Sequence, residues 1–241
     1  MKSFIHELVT RKLETLRVMV LLVLCGVAAC LLMEDTALPA DAAAGPLSGL
    51  TVALDPGHGG YDGGARAHDS GRWEKELTLQ IALEIEEALM ERGAQVILTR
   101  REDVCLADGD TATKARKRAD LQRRMDIAQE GGADVFLSIH LNEYRSRAES
   151  GPQVFYQQGG EAGKALAEQL QKSLVAALRP PKERVAMAGD YYVLRGKLPS
   201  ALVECGFLSN AQEEKLLMDR AYQRRIGQAI ADGLENYLTG L

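Results

Sequence analysis

Apolar and polar residues follow one another along the chain in segments that predict an α/β fold. Short apolar runs of strand length recur, and between them lie longer segments whose apolar residues recur every three or four positions. The predicted strands are 50–55, 95–98, 134–140, 153–156, 191–194 and 201–204, and the predicted helices are 75–92, 115–130, 161–178, 213–218 and 221–238. Strands that alternate with helices indicate one α/β domain, with a mostly parallel central sheet of about six strands flanked by helices.

The first 44 residues have a different pattern from the rest. Basic residues precede an apolar run at 18–33, and small residues follow at 41–45, which is the order found in secretory signals. The run is shorter than the roughly 20 residues of a membrane span. An uncleaved membrane anchor and a lipid attached at Cys30 are the alternatives. We therefore divide the chain into 1–44, a signal peptide or membrane anchor with a short linker, and 45–241, a single domain outside the membrane.

Composition and charge restrict the classes of function. The chain has 241 residues, of which 46% are hydrophobic, and its net charge is -5. An acidic protein without a clustered basic face is a poor nucleic-acid binder, so we predict no nucleic-acid partner. The one basic stretch, 114–124, falls on a predicted helix and is interpreted as a solvated face. Cys105 and Cys205 are predicted to be free thiols, since Cys205 lies in a predicted buried strand.

Two histidines stand at the ends of predicted strands. His58 lies in a glycine-rich loop after the first strand, and His140 ends the third. Ligands of parallel α/β sheets lie at the carboxyl ends of the strands, so both imidazoles should meet at one edge. Two histidines, one carboxylate and an open position are one typical set for a hydrolytic zinc site.

Several carboxylates near His58 are candidates for the third ligand. They are Asp55, Asp62, Glu74 and Glu76. Asp55 could instead cap its turn, and Glu74 and Glu76 both begin a helix, where negative charge favours the helix dipole. The pattern alone does not choose between Glu74 and Glu76.

Glu204 is unusual because it interrupts an apolar strand. A buried charge is costly unless it is paired, so a nearby metal or a proton-transfer role would explain it. The alternative is a salt bridge to an arginine such as Arg100 or Arg195.

Five short motifs occur together in the order and spacing of one enzyme family. They are found at 55–65, 74–79, 98–100, 138–142 and 203–210, within residues 50–238. With these motifs the chain resembles the N-acetylmuramoyl-L-alanine amidases that have an AmiC-like catalytic domain. Within that family it is most similar to the small germination and sporulation amidases of spore-forming bacteria.

This resemblance implies a ligand set and a catalytic residue. One zinc ion (Zn2+) per chain would be held by three side chains, which are His58, Glu74 and His140. Glu204 would be the catalytic carboxylate, and the family gives Glu76 no metal role. Asn142, just after His140, is a candidate for binding substrate. Residues 45–241 would then be a zinc-dependent amidase catalytic domain.

The resemblance also implies a reaction and a location. The enzyme would cleave the amide between N-acetylmuramic acid and L-alanine in peptidoglycan, as the first step of muramic-lactam formation in spore cortex. The alternatives are a metallo-peptidase acting on the peptide stem and an inactive wall-binding or regulatory module. We expect an exported protein, anchored by its N-terminal segment or released to the cell wall or the intermembrane space of the forespore. The connection 141–152 is too short for the inhibitory helix of regulated relatives, which suggests a regulatory or activating protein partner.

Overall fold

A computed structural model describes residues 45–109 and 112–240, and these contain the predicted sheet. Its strands are β1 (Thr51–Pro56), β2 (Gln95–Leu98), β3 (Val135–Asn142), β4 (Gln153–Gln157), β5 (Met187–Gly189) and β6 (Ser200–Phe207). The helices are α1 (Glu74–Glu91), α2 (Lys114–Glu130), α3 (Glu161–Leu178), α4 (Ala211–Leu217) and α5 (Arg220–Thr239). The α/β fold predicted from the apolar pattern is confirmed.

One predicted strand is wrong. Residues 191–194 do not form a strand; Tyr192–Leu194 is a single turn of 3-10 helix. The sixth strand is instead Met187–Gly189, which pairs with β4. A short apolar run does not distinguish a strand from a packed turn, and the Met-Ala-Gly sequence of β5 has little strand propensity.

The sheet has the strand order β2-β1-β3-β6-β4-β5. Neighbouring strands are parallel except for the antiparallel pair of β4 and β6. In this register Asp55 lies beside Ser138, and His140 lies beside Glu204. The carboxyl ends of β1, β3 and β6 therefore meet at one edge of the sheet.

Residues on each central strand alternate between two faces of unequal apolar content. The larger core contains Leu54, Leu137 and Val203 together with residues of α1, α3 and α5. The smaller one contains Phe136 and Leu202 and packs beneath α2 and the 3-10 turn. Because side chains alternate along a strand, His140 and Glu204 share this second face, which we call the α2 face.

Both cysteines of the domain are free thiols, as predicted. Cys205 is fully buried in the larger core, on the face opposite its neighbour Glu204. Its thiol therefore points away from the candidate ligands and acts as a small apolar side chain.

The N-terminal prediction falls on residues that lie outside the described part of the chain. Within residues 45–109 and 112–240, no helix is long and apolar enough to cross a membrane. The predicted signal or anchor at 1–44 stays a prediction.

Candidate active site

The loop after β1 brings His58 to the edge of the sheet in a constrained conformation. His58 has a φ of 63°, in the left-handed region that few residues other than glycine adopt. A Cβ at Gly57 would lie 2.5 Å from Nε2 of His140, and one at Gly64 would lie 2.5 Å from Oε2 of Glu74. The glycines of this loop are therefore needed for the close approach of three side chains.

Three side chains from different elements converge beside this loop. The nearest donor atoms of His58, Glu74 and His140 all lie within 4.8 Å of one another. Oε2 of Glu74 is 3.2 Å from Nε2 of His58, and Oε1 is 3.0 Å from Nδ1 of His140. The two imidazole rings lie edge to face, with centroids 4.8 Å apart. The predicted meeting of strand ends thus brings together the three side chains that the family resemblance implied.

The environments of Glu74 and Glu76 differ sharply. Glu74 is 4% exposed, and its carboxylate also accepts hydrogen bonds from the backbone N–H groups of Ala65 and Leu141. The side chain of Glu76 is 39% exposed and pairs with Arg72 at 3.0 Å. The structure therefore separates two residues that the sequence pattern left equal.

The carboxyl group of Glu74 favours its charged form despite its burial. Burial alone would raise the pKa of its carboxyl group, but hydrogen bonds with His140 and His58 outweigh this and hold the pKa below its usual value. Its partners among the described residues are two imidazoles and two backbone amides, with no lysine or arginine. Two imidazole nitrogens and one carboxylate oxygen match the donor set of a catalytic zinc site. The residues present therefore fit a zinc ion.

Asp62 lies close to one of these histidines. Oδ1 of Asp62 lies 3.0 Å from Nδ1 of His58, and its other oxygen lies 3.0 Å from Nζ of Lys117. Burial alone would lower the pKa of His58, but its contacts with Asp62 and Glu74 outweigh this and raise the pKa to about 9. A carboxylate on the outer nitrogen of a ligating histidine orients the ring. Asp62, a ligand candidate in the sequence, thus contacts Nδ1 of His58, while Glu74 contacts Nε2 of the same ring.

Glu204 lies beside His140 in the sheet and forms no ion pair with a lysine or arginine of the described residues. Its Oε2 atom is buried and has no hydrogen-bond partner among the described residues. Burial raises the pKa of Glu204 to about 8, and the negative charge of Glu74 acts in the same direction. Arg100 donates instead to the backbone oxygens of Pro56 and Gly57.

The salt-bridge explanation for Glu204 is therefore wrong. The second arginine considered, Arg195, pairs with Asp190 through hydrogen bonds of 2.7 and 3.1 Å. Neither guanidinium group contacts the Glu204 carboxylate, so neither arginine offsets its burial in an apolar strand.

A cavity of 320 Å³ connects these groups. It is lined by the three candidate ligands, Glu204, Asn142 and residues of α2 and the 3-10 turn. Asn142 ends β3, and its backbone oxygen accepts a hydrogen bond from Leu208. Asn142 thus lies at the cavity wall, and its contact with substrate stays a prediction.

A second group of charges beneath the site was not recognised in the sequence. Arg124, interpreted as part of a solvated face, is 1% exposed. It donates to Asp55 at 2.8 Å and to the backbone oxygen of His58 at 2.6 Å. Asp55 also accepts hydrogen bonds from Thr99 and Ser138, at 2.7 Å each. The i,i+4 pair of Asp120 and Arg124 on α2 was the available signal for this group.

We call Asp55, Arg100, Asp120 and Arg124 the clamp cluster. Burial alone would raise the pKa of Asp55, but the adjacent Arg124 and the two hydroxyl donors hold the pKa below its usual value. Arg124 and Arg100 together bind the backbone oxygens of residues 56–58. The clamp cluster therefore holds the loop that carries His58.

Comparisons with known proteins identify the family of the chain. A family model described as N-acetylmuramoyl-L-alanine amidase matches residues 52–236. The chain is 37% identical over 199 residues to the germination-specific N-acetylmuramoyl-L-alanine amidase of Bacillus subtilis, covering 80% of this chain and 82% of that protein.

Solved structures give the same result. The CwlD amidase of Clostridioides difficile, solved in complex with the GerS lipoprotein, matches with a TM-score of 0.75 and 36% identity, covering 80% of this chain and 100% of that one. The catalytic domain of CwlV from Bacillus (Paenibacillus) polymyxa matches with a TM-score of 0.67 and 35% identity, covering 79% and 98%. The resemblance drawn from the five motifs is confirmed, and the chain belongs to the N-acetylmuramoyl-L-alanine amidase family.

Proposed function

We propose that this peptidoglycan amidase depends on zinc, that His58, Glu74 and His140 hold the ion, and that Glu204 transfers the protons. The observation that carries the proposal is the convergence of three donor side chains beside a buried carboxylate oxygen that has no partner. Family membership supports the reaction, hydrolysis of the amide between N-acetylmuramic acid and L-alanine.

The chemistry of the site follows from what an amide requires. When bound, zinc would act as a Lewis acid that polarises the substrate carbonyl and makes water more acidic. Glu204 accepts the proton of the attacking water and returns it to the leaving amine of L-alanine, since its free oxygen faces the same cavity. Asn142 at the cavity wall orients the substrate.

The supporting residues keep this arrangement rigid. Asp62 orients the His58 ring, and the clamp cluster holds the backbone oxygens of the loop that carries His58. A site held by such contacts loses little entropy when it binds substrate.

We also propose the cellular setting. Peptidoglycan lies outside the cytoplasmic membrane, so the domain 45–241 acts there, and residues 1–44 serve as signal peptide or membrane anchor. Similarity to a germination-specific amidase supports action in spore cortex, where removal of the peptide is the first step toward muramic lactam. The amidase of Clostridioides difficile was solved with a lipoprotein, which supports a protein partner for this chain too.

Digestion of purified peptidoglycan with and without a chelator tests the proposed activity. We expect the zinc-loaded protein to release peptides with L-alanine amino termini, read by mass spectrometry, and the chelated protein to release none until zinc is restored. Cleavage within the stem, or release of D-alanine, would instead identify a metallo-peptidase. A folded protein that binds no zinc when zinc is supplied in excess would indicate an inactive wall-binding or regulatory module.

A further inference from the structure

A second cavity lies on the α2 face beside the candidate active site. It has a volume of 390 Å³ and lies between α2 and the segment 192–200, and Phe136 and Ser200 are among its lining residues. Tyr192 and Val193 line both this cavity and the one that contains the candidate ligands. The two cavities are therefore adjacent parts of one groove, and we call the second part the side groove.

The sheet register gives the direction and length of the side groove. Phe136 and Ser200 are paired near the amino ends of β3 and β6, and His140 and Glu204 are paired four residues later on the same strands. Four residues of strand span about 13 Å. The groove thus extends away from the ligands by about the length of four residues of extended peptide.

The side groove is positively charged although the whole protein is acidic. Arg118, Arg195 and Lys197 line it, and Asp126 is the one acidic residue among its described lining residues. Asp126 accepts a hydrogen bond from Gln122, and Arg195 pairs with Asp190 outside the groove. Within the part of the chain that the structure describes, Arg118 and Lys197 form no ion pair. Two cations are therefore available to an anionic ligand.

Tyr192 positions the guanidinium groups where the two cavities meet. The guanidinium carbons of Arg118 and Arg195 lie over its ring, 5.2 and 5.8 Å from the centroid. The Tyr192 hydroxyl group donates a hydrogen bond of 2.9 Å to Gln122 of α2. Contact with an aromatic face restricts a guanidinium group, and a restricted guanidinium fork suits bidentate binding of a carboxylate.

We propose that the side groove binds the peptide stem of the substrate, and that Arg118 and Lys197 recognise its carboxylates. This inference rests on the proposed amidase function, which puts the scissile amide beside Glu204. The substrate has two parts on either side of that amide: a glycan of neutral N-acetylated sugars and a peptide that carries free carboxylates. Charge complementarity assigns the cationic groove to the peptide. The apolar surface of Met125 and Leu198 in the groove suits the methyl groups of its alanines.

Steady-state kinetics with two soluble substrates test this assignment. One is a muramyl peptide with free stem carboxylates, and the other is the same molecule with those groups converted to carboxamides. The double variant Arg118→Gln/Lys197→Gln should raise KM for the carboxylate substrate about tenfold and leave kcat nearly unchanged. For the carboxamide substrate, variant and parent should have equal KM. The control Arg123→Gln removes an exposed cation of α2 that pairs with Glu130 and lines neither cavity.

Two results would overturn the assignment. An equal rise of KM for both substrates would assign the side groove to the glycan, and an unchanged KM for both would show that it binds neither part.

A binding measurement separates this inference from the amidase proposal itself. Calorimetric titration of the free stem peptide into the Glu204→Gln protein needs no turnover. Weaker binding after Arg118→Gln and Lys197→Gln are added to the Glu204→Gln protein supports the groove assignment even if the parent cleaves nothing. Equal binding refutes the assignment.

Discussion

Two groups of buried charges lie side by side on the α2 face, and they differ in how completely their charges are paired. In the clamp cluster, Asp55 is held by Arg124 and by two hydroxyl groups. In the other group, which we call the ligand cluster (His58, Glu74, His140 and Glu204), three donors converge on one point and Glu204 keeps an oxygen without a partner. Buried ionisable groups are common to both, so the missing partners distinguish the candidate active site from the clamp cluster.

Replacement of Glu204 should show the largest effect on the reaction. We expect Glu204→Gln to lower kcat by about 100- to 10,000-fold, because the amide side chain cannot accept the proton. Zinc content should stay at one ion per chain, and the melting temperature should not fall, since an unpaired buried carboxylate has been removed. Release of L-alanine amino termini, metal analysis and thermal unfolding measure the three quantities. A rate near that of the parent would refute the proton-transfer role.

Replacement of Arg124 should instead lower the stability of the protein. Arg124→Met leaves the Asp55 carboxylate buried without its cation, which should lower the free energy of unfolding by about 3–5 kcal/mol. Urea denaturation measures the loss. The double variant Asp55→Asn/Arg124→Met should regain part of it, because neither charge is then left alone. A single variant as stable as the parent would contradict the pairing on which the comparison depends.

Asp62 contacts His58 of the ligand cluster, and its replacement should have an intermediate effect. Asp62→Asn should weaken zinc binding about 10- to 100-fold, because the His58 ring loses its outer carboxylate. Competition with a chromophoric chelator gives the affinity. Asp103→Asn is the matched control: Asp103 binds Lys75 and the N–H of Gly60 but no histidine, and zinc affinity should be unchanged. Equal weakening by both variants would argue against a specific role for Asp62.

Glu76 should show the smallest effect. Its ion pair with Arg72 is exposed, so Glu76→Gln should change the free energy of unfolding by less than about 0.5 kcal/mol. Zinc content should be that of the parent, whereas Glu74→Gln, two residues earlier, should lose the ion. Loss of zinc in both variants would show that exposure does not separate these residues.

Much of the fold could be predicted because its helices and central strands have clear apolar periods. Helix 161–178 and strand 95–98 were predicted to the residue. The position of His58 and His140 at one edge followed from a general property of parallel sheets. The strand predicted at 191–194 failed because four apolar residues carry too little periodicity to choose between a strand and a packed turn.

The choice of Glu74 as the candidate third ligand, and the clamp cluster, depend on contacts between distant segments. Glu74 and Glu76 have the same chemistry and nearly the same place on α1, and only the packing of Gly64 and Leu141 around Glu74 separates them. In the sequence, Arg124 is not distinguished from the other cations of a basic helix. Its partner Asp55 is 69 residues away, a separation that no local pattern reports.

The alternation of β6 links the apolar core to the candidate active site through a single register. Val203 and Cys205 face the larger core, while Leu202 and Glu204 face the groove. A slip of β6 by one residue against β3 would exchange these roles, burying the carboxylate in the core and exposing apolar side chains to substrate. A chain with this slip could not keep an apolar core while it misplaces the proposed catalytic residue. Cellular quality control that detects exposed apolar surface would therefore also remove the molecules in which Glu204 is misplaced.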